Sequence, residues 1–263
     1  RKLLRLTPVQ GQRLLFSATL DGDVNKLVEQ FLHDPVVHST APVQAAVDSM
    51  SHHLFFVGER TARNEVVLRI AARQGKTIMF MRTKHGVDRQ VKKLRRSGIN
   101  AYPLHGDKGQ GARTRAIEGF ADGSIPVLVA TDIAARGIDI ADVSLVVHAD
   151  PPAEHKAYLH RAGRTARGGA AGTVITLVMD EQRKEVDALI KKAGVTATEH
   201  DISHRDNPAG APVLKEITGA RKPNGPALPP PGQAVPQKPA KSVKKSNFQR
   251  RRSGGKVARR RRR

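Results

Sequence analysis

The sequence predicts an α/β fold: a parallel sheet with helices on both faces, followed by a disordered basic tail. Three observations lead there. Short runs of β-branched and apolar residues alternate with helical stretches of about ten residues or more, the pattern of strand-helix-strand units whose crossovers cover both faces of a sheet. The run Val127-Leu128-Val129-Ala130 is apolar throughout, as a strand buried on both faces must be. From His204 onward the chain turns basic and rich in Pro and Gly, with few large apolar residues, so it buries too little surface to offset its ordering entropy.

In chain order, Arg1 to Thr7 reads as the end of a helix, Pro8 to Gln12 as a turn, and Arg13 to Phe16 as a short strand ending at Ser17-Ala18-Thr19. Asp21 is placed to cap a helix running through Phe31. Residues 34 to 49 carry the breaks Asp34-Pro35 and Ala41-Pro42 without helical period, and read as a linker. Strands are then expected at His53–Val57, Thr77–Met81, Ala101–Leu104, Val127–Ala130, Ser144–His148 and Gly172–Val178. Helices are expected at Ala62–Arg73, Lys84–Ser97, Gln110–Ala121, Glu154–Arg161 and Glu181–Ala193. The expected division is 1–40 for an incomplete first unit and linker start, 41–203 for the α/β domain, and 204–263 for the tail.

Charge bounds the partners. The 263 residues carry 46 Lys+Arg against 24 Asp+Glu, a formal net charge of +22. From His204 onward there are seventeen basic residues against Asp206 and Glu216, so +15 of that excess lies in the tail. Such a chain is steered to polyanions and gains affinity by counterion release. The absence of cysteine excludes disulfides and cysteine-built metal sites. No apolar run approaches the roughly 18 residues that span a bilayer, and the start lacks a signal-peptide core; the expectation is a cytoplasmic chain with no membrane partner.

Chemistry concentrates past the strand ends. Thr131, Asp132, Gly137 and Asp139 follow the strand at 127–130, where open α/β sheets bind ligands. Arg161, Arg164 and Arg167 lie within two turns of one another after His160, and such forks suit a phosphate whose charge grows in a reaction. The bland alternative is a solvated basic helix face. Gly106 precedes Gln110 and Arg113, which share a face at a helix start and can hold phosphates together with the helix's open amides; a capping residue with a surface arginine is the competing reading. Gly75-Lys76-Thr77 mimics a P-loop ending, but Ile70 stands where its first glycine belongs. His52, His53, His85 and His148 have no metal-ligand spacing. Two Tyr and seven Phe, mostly inside apolar runs, leave little for base stacking.

Val127 to Asp139 and His160 to Arg167 together resemble motifs V and VI of superfamily 2 helicases, and His160 is similar to the DEAD-box group in particular. Ser17-Ala18-Thr19 looks like motif III, Phe80, Arg82 and Thr83 like the end of motif IV, and Leu104-His105-Gly106-Asp107 with Gln110-x-x-Arg113 like the matching elements of the DEAD-box carboxyl lobe. The resemblance implies a RecA-like lobe of an ATP-dependent RNA helicase. It implies that Arg164 and Arg167 reach the γ-phosphate across the lobe interface as catalytic groups, that Gly137 and Asp139 meet the nucleotide, and that Thr83, Gly106, Gln110, Arg113, Thr131 and Asp132 line the RNA backbone largely without regard to sequence. Ser17, Thr19, His160 and Arg161 would couple the lobes. ATP with Mg would be held mainly by an amino-terminal lobe, since no Walker A and no Asp-Glu-Ala-Asp occurs; the expectation is a chain that starts partway through that lobe and is inactive alone. Ala166 departs from the Gly of many members. Two alternatives stay open: a non-catalytic RNA-annealing module driven by the tail, and a DNA helicase of a neighbouring family.

Overall fold

Parallel strands need helices over both faces of their sheet, and the described residues form seven of them, in the order β3 (Ala101–Leu104), β4 (Val127–Ala130), β2 (Lys76–Phe80), β5 (Val143–His148), β6 (Gly172–Met179), β1 (Met50–Gly58) and β7 (Thr198–Asp201), largely buried except for the exposed edge strand β7. The computed structural model describes residues 2–8, 10–17, 22–38, 50–135, 143–166, 171–204 and 206–232. After α1 (Gly22–Phe31), strands and helices alternate: β1 (Met50–Gly58), α2 (Arg60–Ala71), β2 (Lys76–Phe80), α3 (Lys84–Arg96), β3 (Ala101–Leu104) and α4 (Gln110–Ala121). They continue as β4 (Val127–Ala130), α5 (Asp132–Ala135), β5 (Val143–His148), α6 (His155–Ala162), β6 (Gly172–Met179), α7 (Arg183–Ala193), β7 (Thr198–Asp201) and α8 (Pro212–Thr218). Each strand and helix expected between 53 and 193 is present, with ends moved by at most three residues; the helix expected from Glu181 begins as a 3-10 turn at Asp180–Gln182.

Strand residues point alternately to the two faces, and the core divides accordingly. Met79 joins Phe55, Val66, Ile70, Val91 and Leu94 under α2 and α3. Its neighbours Ile78 and Phe80 join Phe120, Leu128, Tyr158 and Leu189 under α4, α6 and α7. Thus α3 and α4 lie on opposite faces and flank the edge of β3, which among the described residues pairs only with β4.

Three expectations change. Residues 13–16 form no strand; a strand needs a ladder partner, and none of the described residues supplies one. Leu14, Leu15 and Phe16 are exposed instead. A seventh strand, Thr198–Asp201, pairs with β1 through His53 to Phe56. The expected tail boundary at 204 is also moved. Leu214, Ala209, Ala211 and Ala220 are buried against the α2 face of the sheet, and residues 219–232 continue as a strap. Arg221 donates its amide to the Arg69 carbonyl at 3.0 Å, Leu228 donates to Arg95 O at 2.8 Å, and Gly232 N donates to the Tyr102 hydroxyl at 3.1 Å. Backbone contacts of this kind hold a segment that has little apolar surface of its own. The remaining tail, 233–263, lies outside the described residues, and among the described ones no helix is long and apolar enough to cross a membrane.

Candidate functional site

Because β3, β4, β2 and β5 are consecutive neighbours, the loops leaving their carboxyl ends stand side by side. Those loops carry Gly106, Thr131, Thr83 and Asp150 in turn. Thr83 caps α3, its hydroxyl accepting from Gly86 N at 3.0 Å. Gly106 is exposed, and a Cβ there would meet nothing within 4 Å, so packing does not demand the glycine; it leaves the backbone open to close approach. Gln110 is the exposed first residue of α4. Arg113, one turn on, donates to the Ala134 carbonyl at 2.7 Å and so ties α4 to α5. Thr131 N donates to Leu104 O at 3.1 Å, and Thr131 O accepts from Ala135 N at 3.1 Å to open α5.

Asp132, the first residue of α5, takes both arms of a fork: Arg161 Nε at 2.5 Å on one oxygen and Nη2 at 2.9 Å on the other. The third donor of Arg161, Nη1, reaches Asp150 O at 2.7 Å, and its guanidinium lies 5.1 Å from the centroid of the Phe80 ring. Its side chain is only 3 % exposed. The Asp150 carboxylate pairs with Arg63 and accepts from Arg82 N at 2.9 Å. One arginine and one aspartate therefore join the ends of β2, β4 and β5 to α6. Arg164, one turn beyond the fork, is half-buried and donates its Nε to His160 O at 3.2 Å.

Residues 62–169 match the helicase conserved C-terminal domain. In a solved complex of the Escherichia coli DEAD-box protein SrmB with the regulator of ribonuclease activity A, SrmB is 34% identical to this chain, with a TM-score of 0.52 over 57% of this chain and 90% of that one. The chain belongs to the DEAD-box family, as a carboxyl-terminal RecA-like lobe. The ATP-dependent rRNA helicase RRP3 of Yarrowia lipolytica is 39% identical over 178 residues, 67% of this chain but 37% of its own length. Saccharomyces cerevisiae Dbp5, solved with RNA and ADP BeF3, aligns with 82% of this chain and 57% of its own at 28% identity and a TM-score of 0.70. The chain thus spans well under two thirds of each of these two relatives.

Among the described residues, the sequence-predicted positions from Thr83 to Arg164 lie past the carboxyl ends of neighbouring strands and on or just after α6. Thr83, Gly106, Gln110, Arg113, Thr131 and Asp132 gather there, with His160, Arg161 and Arg164 behind them on and after α6. Arg161 is an internal tie rather than an exposed interface group, because its fork is consumed by Asp132 and Asp150. Ser17 is exposed in the amino-terminal segment. Thr19, Gly137, Asp139 and Arg167 lie outside the described residues. No group of three or more His, Asp or Glu is placed to hold a metal among the described residues, so magnesium is not assigned to them.

Sequence reasoning missed Asp150, Arg63 and Tyr158. Asp150-Pro151-Pro152 at a strand's carboxyl end was a readable signal for the first; nothing local marks Arg63, whose partner lies on another element. Tyr158 anchors α6 from beneath: its hydroxyl contacts His52 Nδ1 at 2.9 Å, and its ring packs edge-on to His148, 4.8 Å between centroids. Burial raises the Tyr158 phenol far above its ordinary range, with a hydrogen bond to Thr176 opposing. Ala166, just past Arg164, holds φ 55, the left-handed region in which Gly is at ease.

Proposed function

We propose that this chain works as the carboxyl-terminal lobe of an ATP-dependent RNA helicase, binding RNA through backbone contacts and completing an ATP site built mainly by an amino-terminal lobe. The observation that carries the reading is the fork between Asp132 and Arg161. It makes the RNA-side loop after β4 and the helix leading to Arg164 one mechanical unit, so RNA held at Thr83, Gly106, Gln110, Arg113 and Thr131 sets where Arg164 points. When the lobes close, Arg164 with Arg167 presents donors to the γ-phosphate as its charge grows, an arrangement worth about 10³ to 10⁵ in rate in phosphoryl transfer. ATP supplies the bond whose cleavage resets the closure. Gly137 and Asp139 are assigned to the nucleotide, and Ser17, Thr19 and His160 to contacts between lobes. The RNA side reads phosphate and ribose more than base, which makes binding largely independent of sequence.

The test is ATP-dependent unwinding of a short RNA duplex by the chain joined to a DEAD-box amino-terminal lobe, with DNA duplex and the unjoined chain as comparisons. The reading predicts unwinding of RNA by the joined protein only, in a cytoplasmic helicase role. ATP-independent strand annealing by the unjoined chain, lost with residues 233–263, would favour the binding-module reading instead; equal action on DNA would favour a neighbouring helicase family.

A further inference from the structure

The edge of β3 is not bare. Between α3 on one face and α4 on the other runs a groove of about 520 Å³, whose apolar lining is Val91, Tyr102, Pro103 and, from the strap, Leu228, Pro230 and Pro231. Lys92 and Arg96 line it from α3 and Arg115 from α4. All three are exposed and make no ion pair among the described residues. The one carboxylate in the lining, Asp88, is already spent on Lys108 at 2.8 Å. Three uncompensated cations thus stand around an apolar floor, and like charges that converge favour an anion between them.

The edge itself excludes an added strand. Leu104 O accepts from Thr131 N on the β4 side, so by strand alternation Ala101 and Pro103 turn their backbone outward. Ala101 N is taken by Ile99 O at 2.9 Å and Ala101 O by Arg95 Nη1 at 3.3 Å, while Pro103 has no N–H to give. An incoming chain finds no ladder to extend and must bind through its side chains. The strap fixes what those side chains meet. It passes the turn after α3, where a Cβ on Gly98 would lie 2.4 Å from the Gly225 carbonyl carbon. Leu228 N then donates to Arg95 O at 2.8 Å and Gly232 N to the Tyr102 hydroxyl at 3.1 Å, and the Arg95 guanidinium lies 5.2 Å from the centre of the Tyr102 ring. Leu228, Pro230 and Pro231 are therefore held as a wall beside Tyr102.

We infer that the groove is a docking site for an acidic segment of a partner protein, which seats one large apolar side chain against Tyr102 and Leu228 and sets its carboxylates against Lys92, Arg96 and Arg115. The lining selects that occupant. A phosphate backbone would use the cations and leave the aliphatic wall idle, whereas an acidic peptide with an apolar anchor uses both, the anchor supplying affinity and the charges the encounter rate and orientation. A net charge of +22 steers any acidic segment to the chain; the groove adds apolar surface where three of those charges are unpaired.

The experiment measures fluorescence anisotropy of a fluorescein-labelled synthetic peptide, Asp and Glu around a single Phe, with the full chain. Comparison probes are the same peptide with Ser for Phe, the same peptide with Lys and Arg for its acidic residues, and a single-stranded RNA of uniform sequence. The variants are Lys92→Gln/Arg96→Gln/Arg115→Gln, the corresponding triple change to Glu, and Leu228→Ser; circular dichroism checks that each folds. The thirteen Lys and Arg of 233–263 attract every acidic probe alike, so the readout is the affinity that depends on Phe and on the groove. The Phe peptide is expected to bind the parent, and to lose about tenfold or more with the Gln triple, with Leu228→Ser, or with Ser in place of Phe. The Glu triple should reject the acidic peptide and take up the Lys and Arg one. Equal binding of the Phe and Ser peptides, or a Phe peptide indifferent to the Gln triple and to Leu228→Ser, overturns the docking site. RNA that loses as much affinity as the peptide in Leu228→Ser also overturns it, by making the groove a nucleic-acid surface.

Discussion

Arg161 and Asp132 meet through two parallel hydrogen bonds, 2.5 Å and 2.9 Å, across 29 residues of sequence. Fork-to-carboxylate pairing of this kind is geometrically specific in a way an ammonium cannot copy. Removing one member of a buried ion pair costs about 3 kcal/mol or more, and the Asp132 carboxylate stays 40 % exposed, which places this pair at the low end. Arg161→Ala is therefore expected to lose about 3 kcal/mol in urea unfolding. Arg161→Lys should fold better than Arg161→Ala, yet uncouple RNA from ATP turnover in the joined protein. Parental stability for Arg161→Ala would show the fork to be incidental.

Ala166 sits at φ 55, where a Cβ costs about 1 kcal/mol relative to glycine. Its neighbour Thr165 is pinned to Val143 O, and Gly172 closes against it so tightly that an added Cβ would lie 2.6 Å from Thr165 Oγ1. Ala166 is therefore held in place on its Thr165 side. Ala166→Gly should raise the midpoint of denaturant unfolding by an amount equivalent to about 0.5–1 kcal/mol, with an unchanged slope. A lowered midpoint would contradict the backbone geometry.

His148 is fully buried, touching Thr176 Oγ1 at 3.1 Å through Nδ1. Burial, then the Arg161 cation, then His52, holds its pKa well below the ordinary histidine value of 6.5. A group whose folded pKa is depressed and whose charged form is the protonated one binds more protons unfolded than folded. Its stabilisation is thus present above pH 6.5 and is lost as the pH falls below that value toward the folded pKa. Unfolding free energy measured from pH 7.5 to 5 should decline on the acid side, and His148→Gln should flatten that decline. A parental pH dependence in His148→Gln would assign the loss to other groups.

At the Gly98–Gly225 crossing, two backbones approach where no side chain fits. Gly98→Ala combines an unfavourable φ with a backbone clash, so a loss of about 2 kcal/mol or more is expected. The strap should also become open to limited proteolysis between Lys222 and Gly232. Protection equal to the parent's would mean that the strap is held without this contact.

What the sequence made legible follows from where each signal is stored. β4 reads directly because Val127 to Ala130 are buried on both faces, and α4 begins at Gln110 as its spacing implied. β7 escaped because Thr198-Glu199-His200-Asp201 is polar at every position and pairs only as an edge; its place is set by β1, more than a hundred residues away. The strap escaped for a related reason: Pro-rich composition reports missing apolar surface, and says nothing of anchors supplied by Arg95 and Tyr102 from elsewhere. The motif residues were readable one by one. Their pairing was not, since Arg161 looks like Arg164 in sequence and differs in being buried over Phe80 with its fork on Asp132 and Asp150.

Arg164 offers the most direct test. RNA-stimulated ATP hydrolysis would be measured for the chain joined to an amino-terminal helicase lobe that carries Walker A and Walker B motifs, with and without Arg164→Ala. A split ATP site predicts turnover in the joined parent, none in the unjoined chain, and a fall of about 10³-fold or more in the variant with RNA binding retained. Turnover indifferent to Arg164 would contradict the account.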